Sequence, residues 1–167
     1  VTNINDDGIY RLTCTVVDKA GNAFSEVTLE KSDGVEYVEQ RSGQDVLITF
    51  SINRKGSAFE LDNNTNKVVE QYYVQNIEND VVVVEINADS LKEYSVTLNG
   101  QKLEEKKDYV VTEEGGNVTW KKYTYKVNKF LFTQEGEYKL VISSKDKADN
   151  DAFSDVEDAS VEFVVDR

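Results

Sequence analysis

One pattern in this chain occurs twice, and that duplication limits the architecture more than any other feature. Gly136–Ser154 reads GEYKLVISSKDKADNDAFS, and near the start Gly8–Ser25 reads GIYRLTCTVVDKAGNAFS. Gly8, Tyr10, Leu12, Asp18, Lys19, Ala20 and Asn22 recur at one constant offset as Gly136, Tyr138, Leu140, Asp146, Lys147, Ala148 and Asn150. One inserted residue then brings Ala23-Phe24-Ser25 onto Ala152-Phe153-Ser154. A duplicated segment of this length predicts the same supersecondary unit built twice. The chain therefore reads as the end of one unit followed by a whole second unit.

Residues 9–17 alternate, with Tyr10, Leu12, Cys14 and Val16 on one face and Arg11, Thr13 and Thr15 on the other. That period of two predicts a half-buried strand. Asp18-Lys19-Ala20-Gly21-Asn22 is a turn, and residues 24–29 return as the second strand of a hairpin. Residues 31–45 carry Asp33-Gly34 and Ser42-Gly43 and read as a lead-in, with a short strand over 35–39. Strands are expected at 46–53, 58–61, 81–86 and 94–98, the last closed by Asn99-Gly100, a strong two-residue hairpin signal. Residues 62–66 read as a polar loop, 67–74 as strand or a short helix, and 89–93 as a helical turn. Strands at 109–112 and 118–127 flank Glu113-Glu114-Gly115-Gly116-Asn117. Val118 and Trp120 share one parity while Tyr123, Tyr125 and Val127 share the other, which predicts a β-bulge at Lys121-Lys122. A crossover at 128–133 with two aromatics to bury, the repeat strand at 137–144 and a last strand at 160–165 complete the chain. Many short strands, turn signals between them and almost no helix predict an antiparallel β-sandwich.

Composition removes whole classes of chemistry. The chain has no histidine, which excludes Ser-His-Asp and Cys-His catalysis and His-ligated metals. A net charge of −13 repels phosphate backbones and anionic bilayers, so nucleic acid is not an expected partner and direct membrane insertion is not expected. Cys14 is the only cysteine, so no disulfide forms within the chain, and it reads as a small apolar residue facing inward. No pair of carboxylates stands out for catalysis, and the expectation is that the chain is not an enzyme.

Asp6-Asp7-Gly8-Ile9-Tyr10-Arg11-Leu12 resembles the D-x-G-x-Y motif of immunoglobulin strand F, in which the tyrosine hydroxyl bonds back across the strand corner. Gln134 replaces the aspartate in the second copy, and Leu12 and Leu140 stand where a disulfide cysteine is usual. The DKAGN turn, the FSINRKGSAFEL segment and WKKYTYKV resemble the tandem immunoglobulin-like domains of Gram-positive cell-surface proteins. The resemblance implies an all-β, antiparallel immunoglobulin-like β-sandwich at 33–167, preceded at 1–32 by the terminal hairpin of an upstream repeat. It also implies a structural spacer or adhesive module of a bacterial surface or secreted protein. The expected partners are neighbouring repeats and a host protein or glycan. In some related surface domains a Lys–Asn isopeptide crosslink forms, which requires a buried acid beside the pair.

Two sets of residues are candidates for binding. Asp18 and Asn22, with Asp146, Asp149 and Asn150, are hard oxygen ligands that suit Ca²⁺, although their spacing is not that of an EF-hand. The same residues equally suit Asx-type turns in which Asp18 or Asp146 bonds the turn backbone. Apart from Ca²⁺ no cofactor is expected. Trp120, Tyr123 and Tyr125 would present an exposed aromatic face to a carbohydrate or protein, or else pack across strands.

Overall fold

The computed structural model describes residues 6–15, 19–20, 27–32, 45–115 and 120–167. Strand β1 (Gly8–Thr15) lies between β2 (Val27–Ser32) and β3 (Asp45–Ile52), antiparallel to both. Its register sets Leu12 opposite Leu29 on one side and opposite Ile48 on the other. Tyr10 is 2% exposed and stacks on Phe50, with ring centroids 5.6 Å apart and planes 13° from parallel. The side chain of Cys14, the remainder of the first turn (Asp18, Gly21 and Asn22) and the strand expected at 35–39 lie outside the described residues.

The rest of the chain is β-sandwich-like. One sheet runs β4 (Ala58–Leu61), β6 (Val81–Asn87), β10 (Lys121–Val127), β9 (Tyr109–Glu114). The other runs β5 (Tyr73–Val74), β13 (Val161–Val165), β11 (Gly136–Asp146), β7 (Leu91–Leu98), β8 (Gln101–Lys102), with β12 (Asp151–Phe153) beside the end of β11. Among these strands all pairings are antiparallel except β13 with the two-residue β5. The β-branched run of β6 places Val81 and Val83 inward, and Val127 and Tyr125 of β10 join them. Val96, Leu140, Ile142, Val161, Phe163 and Val165 meet them from the second sheet, so both inward faces share one core. Burial of that apolar surface, at roughly 25 cal/mol per Å², is the main stabilising term.

The structure departs from the sequence expectations at four places. Residues 63–66 are not loop but the first turn of a helix, α1 (Asn63–Gln71), which takes the helical alternative over 67–71 and is opened by Asp62, whose side chain accepts from the Thr65 N–H. It closes at Tyr72, which takes φ 62° and returns its N–H to Val68 O. Residues 89–93 form no helical turn, because β7 already begins at Leu91. The pairing of β10 with β6 runs without a shift from Lys121 opposite Asn87 to Val127 opposite Val81, so no bulge falls at Lys121-Lys122. Lys121 instead takes the inward parity of Tyr123, and Trp120 precedes the strand. The crossover at 128–133 is a 3-10 turn (Lys129–Phe132) that buries Phe132 among Tyr138 and Phe163 and leaves Phe130 70% exposed. The Asn99-Gly100 hairpin forms as expected, with φ of 49° and 80° at the two turn residues.

Candidate functional site: a buried polar joint

Asp146 ends β11 and opens the DKADN turn, in which Asp149 takes φ 64°. Its Oδ1 accepts from the backbone N–H of Ala148 (2.9 Å) and of Asn150 (3.0 Å), the Asx-type arrangement that lets a short polar side chain replace backbone partners. Its Oδ2 faces inward and accepts from Asn53 Nδ2 (2.7 Å), Asn87 Nδ2 (3.1 Å) and Asn150 Nδ2 (3.1 Å). Asn53 Nδ2 also donates to Asn87 Oδ1 (2.7 Å), and Asn53 Oδ1 accepts from Gly56 N (3.3 Å). Asn87 Nδ2 reaches Ser57 Oγ (2.9 Å). Asp146 is 1% exposed and Asn87 is fully buried. Burial pushes the Asp146 carboxyl pKa up, but the bonds from Asn87, Asn150 and Asn53 outweigh it and hold the pKa below the ordinary range. Neutral N–H donors surround the charge, so it is satisfied without a cation among these contacts.

The other half of the joint comes from the N-terminal sheet. Asp7, one residue before β1, accepts from the backbone N–H of Arg54 (2.8 Å) and Lys55 (2.7 Å) and from Arg54 Nε (3.3 Å). Burial raises its pKa and these bonds lower it, for a net depression. Asn53–Gly56, between β3 and β4, is thus gripped by Asp7 on one side and by Asn87, Asp146 and Asn150 on the other. Gly56 sits at φ 78°, and a Cβ there would lie 3.1 Å from Asn150 Cβ, so only glycine fits this approach without strain.

Asp146 and Asn150 come together as acceptor and donor, while exposed Asp149 pairs with Lys92 Nζ at 2.9 Å. Asp18 and Asn22 lie outside the described residues, among which no three Asp, Glu, His or Cys side chains gather as a metal set.

Trp120, Tyr123 and Tyr125 do not form an exposed face. Tyr123 and Tyr125 are 4% and 0% exposed, because the unbroken register of β10 turns both inward. Tyr123 Oη accepts from Leu91 N (3.0 Å), and Tyr125 donates to Glu85 Oε2 (2.6 Å). Ser144 Oγ donates to the other oxygen of Glu85, so this fully buried carboxyl bridges the two sheets. Trp120 is half-buried. Among the described residues the exposed aromatics are Tyr72, Tyr73, Phe130 and Phe153. A cleft of about 540 Å³ lies between α1 and residues 75–80, with Asn64, Lys67, Gln71, Gln75, Glu78 and Asp80 among its lining residues.

Lys121 and Asn87 face each other in register, yet Lys121 Nζ goes to Gly115 O (3.4 Å) and Glu113 (3.6 Å), while Asn87 is held by Asp146 and Ser57. Neither Asn53 nor Asn87 stood out in the sequence. The signal for Asn87 was its parity: in VVVVEIN it shares the face of Val81, Val83 and Glu85, where a polar residue must find buried partners. No family model matches the chain, and no curated protein matches it.

Proposed function

We propose that this chain is part of a tandem array of immunoglobulin-like β-sandwich repeats in a bacterial surface or secreted protein. Its role is that of a structural spacer or adhesive stalk with no chemistry of its own. Neighbouring repeats are its first partners. The repeat reading is supported by the two tyrosines. Tyr10 donates its hydroxyl to Asp6 O (2.7 Å) and Tyr138 donates to Gln134 O (2.8 Å), each four residues back. Each follows a glycine at positive φ, 156° at Gly8 and 141° at Gly136. This is the bond that the tyrosine of immunoglobulin strand F makes across its corner.

The spacer reading is carried by the joint. A flexible linker between modules leaves their mutual orientation free. Here the connecting residues Asn53 to Gly56 are bound to both flanking structures through buried or backbone hydrogen bonds. A connection held in this way transmits direction from one module to the next, which is what a stalk requires.

Small-angle scattering of the whole chain and of an Asp7→Ala/Asn53→Ala variant tests this. The expected result is a broader distribution of interatomic distances in the variant, with unchanged circular dichroism. Identical scattering curves from the two proteins would remove the joint as a source of stiffness and with it the spacer reading.

A further inference from the structure

The sequence reading places the start of the second unit at residue 33 and so assigns β3 to it. We infer instead that β3 closes the N-terminal unit and that the repeat boundary falls between Arg54 and Lys55. Asn87, Asp146 and Asn150 then form a docking site for the exit of the preceding repeat. This rests on the tandem reading proposed above.

β3 lies antiparallel to β1 with Gly8 opposite Ile52, Tyr10 opposite Phe50 and Leu12 opposite Ile48. β13 lies antiparallel to β11 with Gly136 opposite Val165, Tyr138 opposite Phe163 and Leu140 opposite Val161. A slip of one residue in either pair would turn every side chain to the other face, so the shared register is a specific match. The rings agree as well. Tyr10 and Phe50 have centroids 5.6 Å apart, and Tyr138 and Phe163 have centroids 5.5 Å apart.

The match continues past the strands. β3 is followed by Asn53-Arg54 and β13 by Asp166-Arg167. The acidic residue just before the glycine grips the arginine's backbone N–H in both cases: Asp7 takes Arg54 N (2.8 Å) and Glu135 takes Arg167 N (3.2 Å). By strand register, ring contact and clamp, β3 is therefore the counterpart of β13. On the opposite edge of β1 from β3, β2 takes the place that β7 takes beside β11.

With β3 so assigned, Asn53 belongs to the first unit, and its insertion between Asn87 and Asp146 is a contact between repeats. The site accepts a short carboxamide: Nδ2 must donate to Asp146 and Asn87 while Oδ1 takes Gly56 N. Gly56 lies close enough to Asn150 to complete the seat.

Native-state hydrogen exchange of the whole chain, with and without Asn53→Ala, tests the assignment. In low denaturant the amides of β3 are expected to open together with those of β1, at a lower free energy than β6, β10 and β11. In the Asn53→Ala protein the Gly56 amide, which loses its acceptor, is expected to exchange about tenfold faster or more, while β6 and β11 keep their protection. If β3 amides open with β6 and β11 while β1 opens separately, the boundary is overturned and the tandem reading stands. If all strands open in a single step, the tandem reading itself fails. An unchanged Gly56 rate would overturn the docking role of Asn53.

Discussion

Replacing Asp146 by asparagine keeps the shape of the joint and changes only its charge and one acceptor. One oxygen becomes an NH₂ group. The Oδ1 side faces the N–H of Ala148 and Asn150, and the Oδ2 side faces three carboxamide NH₂ groups, so a donor meets donors whichever way the new amide is placed. A flip of any neighbour would break another bond, because Asn53 Oδ1 is held by Gly56 N, Asn87 Oδ1 by Asp89 N and Asn150 Nδ2 by Asn53 O. At least two hydrogen bonds to a charged acceptor are lost, each worth about 1.5–3 kcal/mol, in a site that is 1% exposed. The expected destabilisation is about 4 kcal/mol at neutral pH, in line with breaking a buried charge network. Urea unfolding followed by far-UV circular dichroism measures it. The pH dependence adds a second constraint. The Asp146 pKa is depressed in the folded state, so its contribution is present above the unfolded value of about 3.9 and is lost as pH falls through the folded value. The gap between Asp146→Asn and the parent should therefore hold from pH 7 to about pH 4 and narrow below it. A gap under about 1 kcal/mol at pH 7, or one that stays constant to the lowest pH at which both proteins fold, would refute the reasoning.

Tyr125→Phe leaves one oxygen of the fully buried Glu85 without its donor and should cost about 1–3 kcal/mol by the same denaturation assay. Burial, followed by the Glu85 carboxyl, pushes the Tyr125 hydroxyl pKa far above the ordinary range, and burial raises Tyr94 to about 12. Stability held by the neutral phenols should thus be complete below about pH 10 and decline above it. An ultraviolet titration should show Tyr125 ionising only with unfolding, and its early ionisation would contradict its burial. Tyr138→Phe removes the bond to Gln134 O in a half-exposed place, so the melting temperature should fall by only about 2–6 °C. Gly56→Ala forces a side chain onto Asn150 at positive φ, and a loss of about 1–3 kcal/mol is expected; a neutral result would mean the turn relaxes freely.

Period and turn chemistry made much of the β structure readable in advance. The run VVVVEIN could only be a buried strand, and Asn-Gly could close β7 because both residues tolerate positive φ. The first turn of α1 was hidden because Asn63, Asn64, Thr65 and Asn66 are poor helix formers, while its second half was left open between strand and short helix. What holds it is the Asp62 cap and the packing of Val68 and Val69 on the core, a tertiary effect. The inward turn of Tyr123 and Tyr125 followed from where β10 begins, and the parity of Trp120 misled because it stands before the strand. Asp146 was legible as a turn residue. Its inner oxygen was not, since Asn53 and Asn87 lie far from it in sequence and reach it only through folding.

Glu85 has a consequence for anyone who would redesign this sandwich. Apolar faces attract without direction, so two sheets lined with valine and phenylalanine have several near-equivalent ways to slide over each other. Glu85 admits one. Its two oxygens must meet Tyr125 of its own sheet and Ser144 of the opposite sheet at once, and any offset leaves a carboxyl stranded in hydrocarbon. The residue acts as an alignment mark. A library that freely exchanged the surrounding valines, isoleucines and leucines while fixing Glu85, Tyr125 and Ser144 would keep a single stacking of the sheets. One that replaced the three with apolar residues of equal volume would gain tolerance in composition and lose uniqueness of structure.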